Sequence, residues 1–287
     1  MTKLKYFVQF LVIIFLFFIY KIIGLRFSSI LSGYIMLLLG PLFRSKNLSN
    51  NNLKKALPNS TDSQRKKILS QMWFNYGQIL SEYMFIQNFR KSEKFSKKVS
   101  VVNQKVLEII KSETNPVIFI SGHFNNFELM AMHIEKSGID LAAIYRPLNN
   151  IFLNPLMEQI RKRYICKKQI KKGISGTKQL LKHFKKKTSL ALMIDQRVSE
   201  GIRSNFFDKE ALTTTIPAQF IKKYNVKVVP IYIERFKDNN FRIEIYDPIT
   251  FKKDETINSI TLHLNKILEK MIMRNPEQWI WMHNRWK

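Results

Sequence analysis

Cysteine is almost missing from this 287-residue chain: Cys166 stands alone, so no intrachain disulfide can form,. Acidic residues are also scarce, with 21 Asp and Glu against 48 Lys and Arg, a formal charge of +27. No Gly/Ser- or Pro-rich linker interrupts the chain and no internal repeat is found. That argues against a string of modules and against a solenoid. There is no Gly-x-Ser-x-Gly elbow, which removes the usual carrier of a serine acyl-enzyme,. Gly173-Ile174-Ser175-Gly176-Thr177-Lys178 has Lys and Thr in the wrong order for a phosphate-cradling loop,. His133, His183, His263 and His283 fall in no metal-like grouping, so no metal is expected,.

What remains is apolar and basic. A hydrophobic fraction of 45%, with 22 Phe, excludes a disordered chain,. The positive charge suits polyanions in general: nucleic acid, anionic headgroups or an acidic protein. From Tyr6 to Leu25 the chain is apolar except for Gln9, Lys21 and Gly24. That length matches the ~20 residues a helix needs to cross a hydrocarbon core. It is long for a signal-peptide core and no small-x-small cleavage site follows it, so a retained anchor over residues 1–26 is expected. Phe27–Phe43, broken by serines and glycines, reads as a helix along the interface or packed on the domain,. Lys21, Arg26 and Arg44 follow the anchor, and the positive-inside rule then puts the bulk of the chain in the cytoplasm,.

Residues 27–100 read as helical. Pro58 stops one segment, Ser60, Thr61 and Asp62 are available as caps for the next, and Ile68, Met72, Ile79, Leu80 and Tyr83 recur at helical spacing,. Over 101–287 the texture changes to short apolar runs, at 117–120, 141–144, 190–194 and 226–233, separated by amphipathic helices. Alternation of this kind predicts an α/β domain with a largely parallel central sheet flanked by helices. Phe241 to Tyr246 alternates like an edge or antiparallel strand, and 257–274 is a closing helix,.

The segment Ser121-Gly122-His123-Phe124-Asn125-Asn126-Phe127-Glu128 is where chemistry concentrates. A strand ends at Ser121, Gly122 allows a turn, and Asn125 or Asn126 can cap the helix that follows. His123 is thereby placed at the carboxyl end of a strand, where open α/β sheets hold their ligands. Glu128, in the first helical turn, can reach back to its ring. A base oriented by a carboxylate activates a hydroxyl.

The pattern His-(four residues)-Glu within Gly-His-Phe-Asn-Asn-Phe-Glu-Leu resembles the lysophospholipid acyltransferase superfamily. More narrowly it is similar to the lipid A biosynthesis late acyltransferases, the lauroyl/myristoyl family. Asn52-Leu53 through Pro58, Ile144-Tyr145-Arg146-Pro147, Asp195-Gln196, Phe206-Phe207 with Thr213-Thr214-Thr215, Val229-Pro230 and the closing 276–287 agree in order. Asn125, Arg197 and Asn284 depart from the usual residues, which leaves donor length and exact acceptor open. The resemblance implies fatty acyl transfer from an acyl carrier protein thioester, a co-substrate and not a bound cofactor, to a hydroxyl of a lipid A precursor of the Kdo-lipid IVA type. It implies a bacterial inner membrane protein working on the cytoplasmic side, with His123 as base and Glu128 holding the ring. Arg146 is read as an anion or oxyanion partner and Arg161 as a further candidate for the same electropositive site. Asp195, at another strand end, can position substrate or a neighbouring arginine. A lysophospholipid or glycolipid acyltransferase of the same superfamily is the nearest alternative. A basic membrane-tethered nucleic-acid-binding protein explains the charge but gives His123 and Glu128 no purpose, so nucleic acid is not expected as a partner.

Overall fold

The computed structural model describes residues 2–43, 46–113 and 115–287; Arg44, invoked above for topology, lies outside them. Among the described residues nine strands form the sheets: β1 (Val99–Val102), β2 (Ile118–Ser121), β3 (Leu141–Tyr145), β4 (Lys168–Lys171), β5 (Ser189–Met193), β6 (Ile202–Phe206), β7 (Lys209–Thr213), β8 (Val228–Phe236) and β9 (Asn240–Ile245). Seven make one sheet in the order β1-β9-β8-β2-β5-β3-β4. All its pairings are parallel except β8 with β9. β6 and β7 form a separate antiparallel hairpin. The expected α/β class, with a mostly parallel sheet between helices, is what the chain adopts.

The reason is visible in burial. Every residue of β2 is buried and so are eight of the nine in β8, as strands covered on both faces require,. Glu128–Lys136, Leu153–Tyr164, Ile174–Lys185, Ile216–Tyr224 and Ile257–Arg274 are the covering helices. The last begins at Thr256, whose hydroxyl accepts from Ser259 N at 3.1 Å. Asp62–Glu82 begins on a capping box between Thr61 and Gln64,.

The N-terminal helix is longer than expected, Thr2–Phe43, with a kink at Gly24 (φ 78°). The 22 residues before the kink rise roughly 33 Å, close to a hydrocarbon thickness of about 30 Å. Their mean hydropathy reaches 2.5 over an 18-residue window that is only 11% buried. The helix does not stand free, however. Phe17 and Tyr20 are buried, Phe7 meets the Phe152 ring edge-on at 5.4 Å, and Asn150 Nδ2 donates to Tyr6 O at 2.8 Å.

Beyond the kink, the serines and glycines that broke the apolar run turn out to be its packing face. Ser32 Oγ donates to Gly77 O at 2.6 Å. A Cβ added at Gly77 would stand 2.1 Å from Ser32 O, and one at Gly40 would stand 2.3 Å from the Trp73 ring. Small residues let the two backbones approach, so Leu25–Phe43 packs on Asp62–Glu82.

Candidate active site

His123 and Asp195 meet because β2 and β5 are neighbours. Ser121 is in register with Met193, and Ile194 N donates to Ser121 O at 3.0 Å. Two residues further along each strand lie His123 and Asp195, level with one another at the carboxyl edge. Asp195 Oδ1 takes His123 Nδ1 at 2.8 Å. Its Oδ2 accepts from His123 N at 2.8 Å and from Trp279 Nε1 at 2.9 Å. The carboxylate is buried, and the ring is partly open.

Electrostatics follow from these contacts. Burial works against ionising Asp195, yet the His123 charge and three hydrogen bonds hold its pKa down at about 2. Burial likewise works against a charged His123 ring. The charge and hydrogen bond of Asp195, with Glu128 adding to them and Arg161 opposing, raise it above 6.5 on balance. With Nδ1–H donated to an ionised carboxylate, Nε2 is the nitrogen left to accept a proton.

Glu128 does something other than the spacing suggested. Among the described residues it makes no hydrogen bond to His123. Its Oε1 accepts from Arg161 Nε at 2.8 Å and from the Tyr83 hydroxyl, and Arg161 Nη2 donates to that hydroxyl at 3.0 Å. A cation on another helix competes for the carboxylate more strongly than an imidazole already satisfied by Asp195. Glu128 and Arg161 therefore reach His123 through their charges and not by contact. The contact with the ring expected of Glu128 is made by Asp195.

Arg146 follows β3, on the far side of β5 from β2, so two strand spacings of ~4.8 Å separate it from the His123 strand,. Its guanidinium is exposed, and its Nη2 lies 3.4 Å from Asn149 Oδ1. Arg161 is the arginine whose charge bears on His123.

The turn carrying His123 is held from behind. Asn125 sits in the left-handed region at φ 39°, a conformation asparagine tolerates better than most residues. Asn125 and Asn126 do not cap the following helix. Asn125 Oδ1 accepts from Arg235 Nη2 at 2.8 Å, and Asn126 Nδ2 donates to Glu82 Oε2 at 2.8 Å. Arg235 and Glu82 form an ion pair only 5% and 0% exposed. Gln278 O accepts from Asn125 N at 2.9 Å.

The closing motif is thus the other wall of the site. Besides Trp279 on Asp195, the fully buried Arg285 donates to Leu212 O at 2.6 Å and Thr213 Oγ1 at 2.8 Å, its guanidinium over the Phe206 ring. Asn52 Nδ2 donates to the carbonyls of Trp281 and His283 at 2.8 and 2.7 Å. Tyr83, Glu82 and Arg235 were not singled out for chemistry in the sequence. Tyr83 read as one more apolar helical position, and the others have partners more than 80 residues away.

Two grooves of about 510 and 630 Å3 run along Asp62–Glu82 and include neither His123 nor Asp195. Among the described residues, no three His, Cys, Asp or Glu side chains gather closely enough to hold a metal ion. The arrangement is a carboxylate-oriented base at a sheet edge, beside a paired carboxylate and guanidinium. It can take a proton from a hydroxyl and return it to a leaving group.

Comparison with known proteins identifies the family. The family model for bacterial lipid A biosynthesis acyltransferases matches residues 1–287, and the chain belongs to that family; it is an acyltransferase. Similar proteins include a lipid A biosynthesis acyltransferase of Haemophilus influenzae, 24% identical over 84% of this chain and 76% of the relative. The lauroyltransferase of Escherichia coli is 23% identical over 85% and 79%. The palmitoleoyltransferase of the same organism is 25% identical over 86% and 80%. Among solved structures, a 1-acyl-sn-glycerophosphate acyltransferase from Thermotoga maritima aligns at TM-score 0.43 and 11% identity, over 91% of this chain and 99% of that one.

Proposed function

We propose that this enzyme transfers a fatty acyl chain from an acyl carrier protein thioester to a hydroxyl of a lipid A precursor of the Kdo-lipid IVA type. It does so at the cytoplasmic face of the inner membrane. The observation that carries the reading is the His123–Asp195 pair, with Nε2 left as the acceptor, inside a chain matched end to end by the family.

His123 Nε2 takes the proton of the acceptor hydroxyl as its oxygen bonds to the thioester carbonyl carbon. The carbonyl electrons move onto oxygen, and Asp195 stabilises the imidazolium that results. When the tetrahedral species collapses, the carbon–sulfur bond breaks and Nε2–H protonates the departing thiolate. The amides of Phe124, Asn125, Asn126 and Phe127 are spent on Gly122 O, Gln278 O, Asn125 Oδ1 and Asn125 O. The oxyanion then falls to groups other than these four amides. Arg161, whose charge bears on the His123 ring, supports that reading, and Arg146 serves substrate from the rim.

The membrane location rests on the apolar helix before Gly24 and on the basic residues that follow it,. Mass spectrometry of lipid A from cells lacking and then regaining this chain tests the reading. One acyl chain should disappear and return, and an unchanged profile would exclude lipid A as the product.

A further inference from the structure

Tyr83 has no part in the reaction just described, and its surroundings give it one. It lies where the helix Asp62–Glu82 tightens into a single 3-10 turn, Tyr83–Phe85. Its ring is buried with Ile79, Leu153 and Met157, and Phe10 and Ile13 of the N-terminal helix pack against that cluster. A buried phenol needs a partner for its hydroxyl. This one finds two, donating to Glu128 Oε1 and accepting from Arg161 Nη2 at 3.0 Å, while Arg161 Nε donates to Glu128 Oε1 at 2.8 Å. The three side chains close a triangle in which every bond to the carboxylate ends on Oε1. No described hydrogen bond ends on Oε2.

Resting on the acyl-transfer reading, we propose that Tyr83 is a positioning residue: its hydroxyl pins one oxygen of Glu128 against Arg161 and so fixes the orientation of the carboxylate that follows His123 in the turn. Tyr83 touches neither His123 nor the reacting atoms and acts through Glu128. Without the hydroxyl, one fixed point of the carboxylate is lost and Arg161 loses an acceptor. The carboxylate then swings away from the ring whose protonated form it favours. The cradle also links the site to the N-terminal helix, since Phe10 and Ile13 press on the same side chains that hold the phenol in place.

The test is Tyr83→Phe, which removes one oxygen and keeps the ring. It is measured on the full chain in detergent with an acyl carrier protein thioester and Kdo-lipid IVA. Turnover should fall about 10- to 100-fold, as for loss of a hydrogen bond to a charged group, with the KM for the acceptor within about threefold of wild type. The acid limb of the pH–rate profile should move to lower pH. Combined with Glu128→Gln, the change should cost nothing further, because a residue acting through Glu128 has nothing left to position.

Losses that multiply in the double variant, or an acid limb that stays in place, would overturn the proposal. Titration of the His123 ring by NMR reads the same coupling in whatever fraction is folded, so a stability loss cannot imitate it. A wild-type enzyme that acylates nothing would instead sink the reading on which the proposal rests.

Discussion

Asp195→Asn is the perturbation whose consequence the structure specifies most fully. Asp195 Oδ2 accepts two N–H groups, from the His123 backbone and the Trp279 indole, while Oδ1 faces the imidazole. An asparagine in that slot must keep its carbonyl oxygen where Oδ2 stands, since both neighbours there are donors. Its amide nitrogen then faces His123 Nδ1 and donates to it. The ring is forced to carry its proton on Nε2, where it can no longer accept one from a hydroxyl. Turnover should drop by roughly 10²- to 10⁴-fold, the usual worth of a general base or of its correct tautomer. The fold should survive, because the two bonds to the carbonyl oxygen persist and the third is only reversed in direction.

The pH profile supplies an independent readout. His123 must be neutral to act, so activity falls as pH drops through its pKa. That pKa is raised in the native protein by Asp195, so the wild-type acid limb should lie above 6.5 and the residual activity of the variant should have its limb lower. The linkage signs agree. Stability from the raised His123 is full below its unfolded value and lost as pH rises through the folded one. Stability from Asp195 is present above its unfolded value of 3.8 and lost as pH falls toward about 2,. Turnover and an acid limb both matching wild type would refute the reasoning.

Other perturbations probe the scaffold and the surface. Gly77→Ala, whose Cβ would meet Ser32 O at 2.1 Å, should overpack the helix contact by about 2–3 kcal/mol, a fall of roughly 4–12 °C in Tm for a chain of this size; an unchanged melt would mean that the contact yields freely. Glu82→Gln strands Arg235 in a site that excludes water and should cost about 3–5 kcal/mol in a denaturant melt, whereas replacing both partners by apolar residues should cost less. Lys168 and Lys171 are occupied by Asp140 and Glu158, so the exposed Lys167, Lys172 and Lys185 are the ones to reverse in testing whether an acidic carrier approaches this basic stretch. Reversal should raise the KM for acyl carrier protein at low salt and lose its effect as salt screens the encounter, while a small thioester donor reacts as before.

Two kinds of strand could be read from the sequence: continuous apolar runs such as 117–120 and 190–194, which have few other uses, and β9, whose alternation matches its one buried face. β1 and β4 lie at the two edges of the sheet and needed no such run. β4 is Lys-Gln-Ile-Lys and hides only Ile170. The hairpin β6–β7 buries alternate residues against the closing motif and offered no long apolar stretch. His123 and Asp195 were each recognisable as strand-end residues. Their partnership was not, because it depends on β2 lying next to β5 with 72 residues between the two side chains. Local spacing favoured Glu128 as the orienting carboxylate. The fold instead delivers Arg161 and Tyr83 to it from other helices, and sequence distance alone gives no sign of that competition.

On the proposed function, His123 is the base of an acyl transfer to a lipid A precursor. The most direct measurement incubates the purified full chain, wild type or His123→Ala, with an acyl carrier protein thioester and Kdo-lipid IVA, and weighs the lipid product by mass spectrometry. Wild type should add the mass of one acyl chain, while the variant, folded and still membrane-associated, should be slower by 10²-fold or more. Equal product from the two proteins would contradict the account.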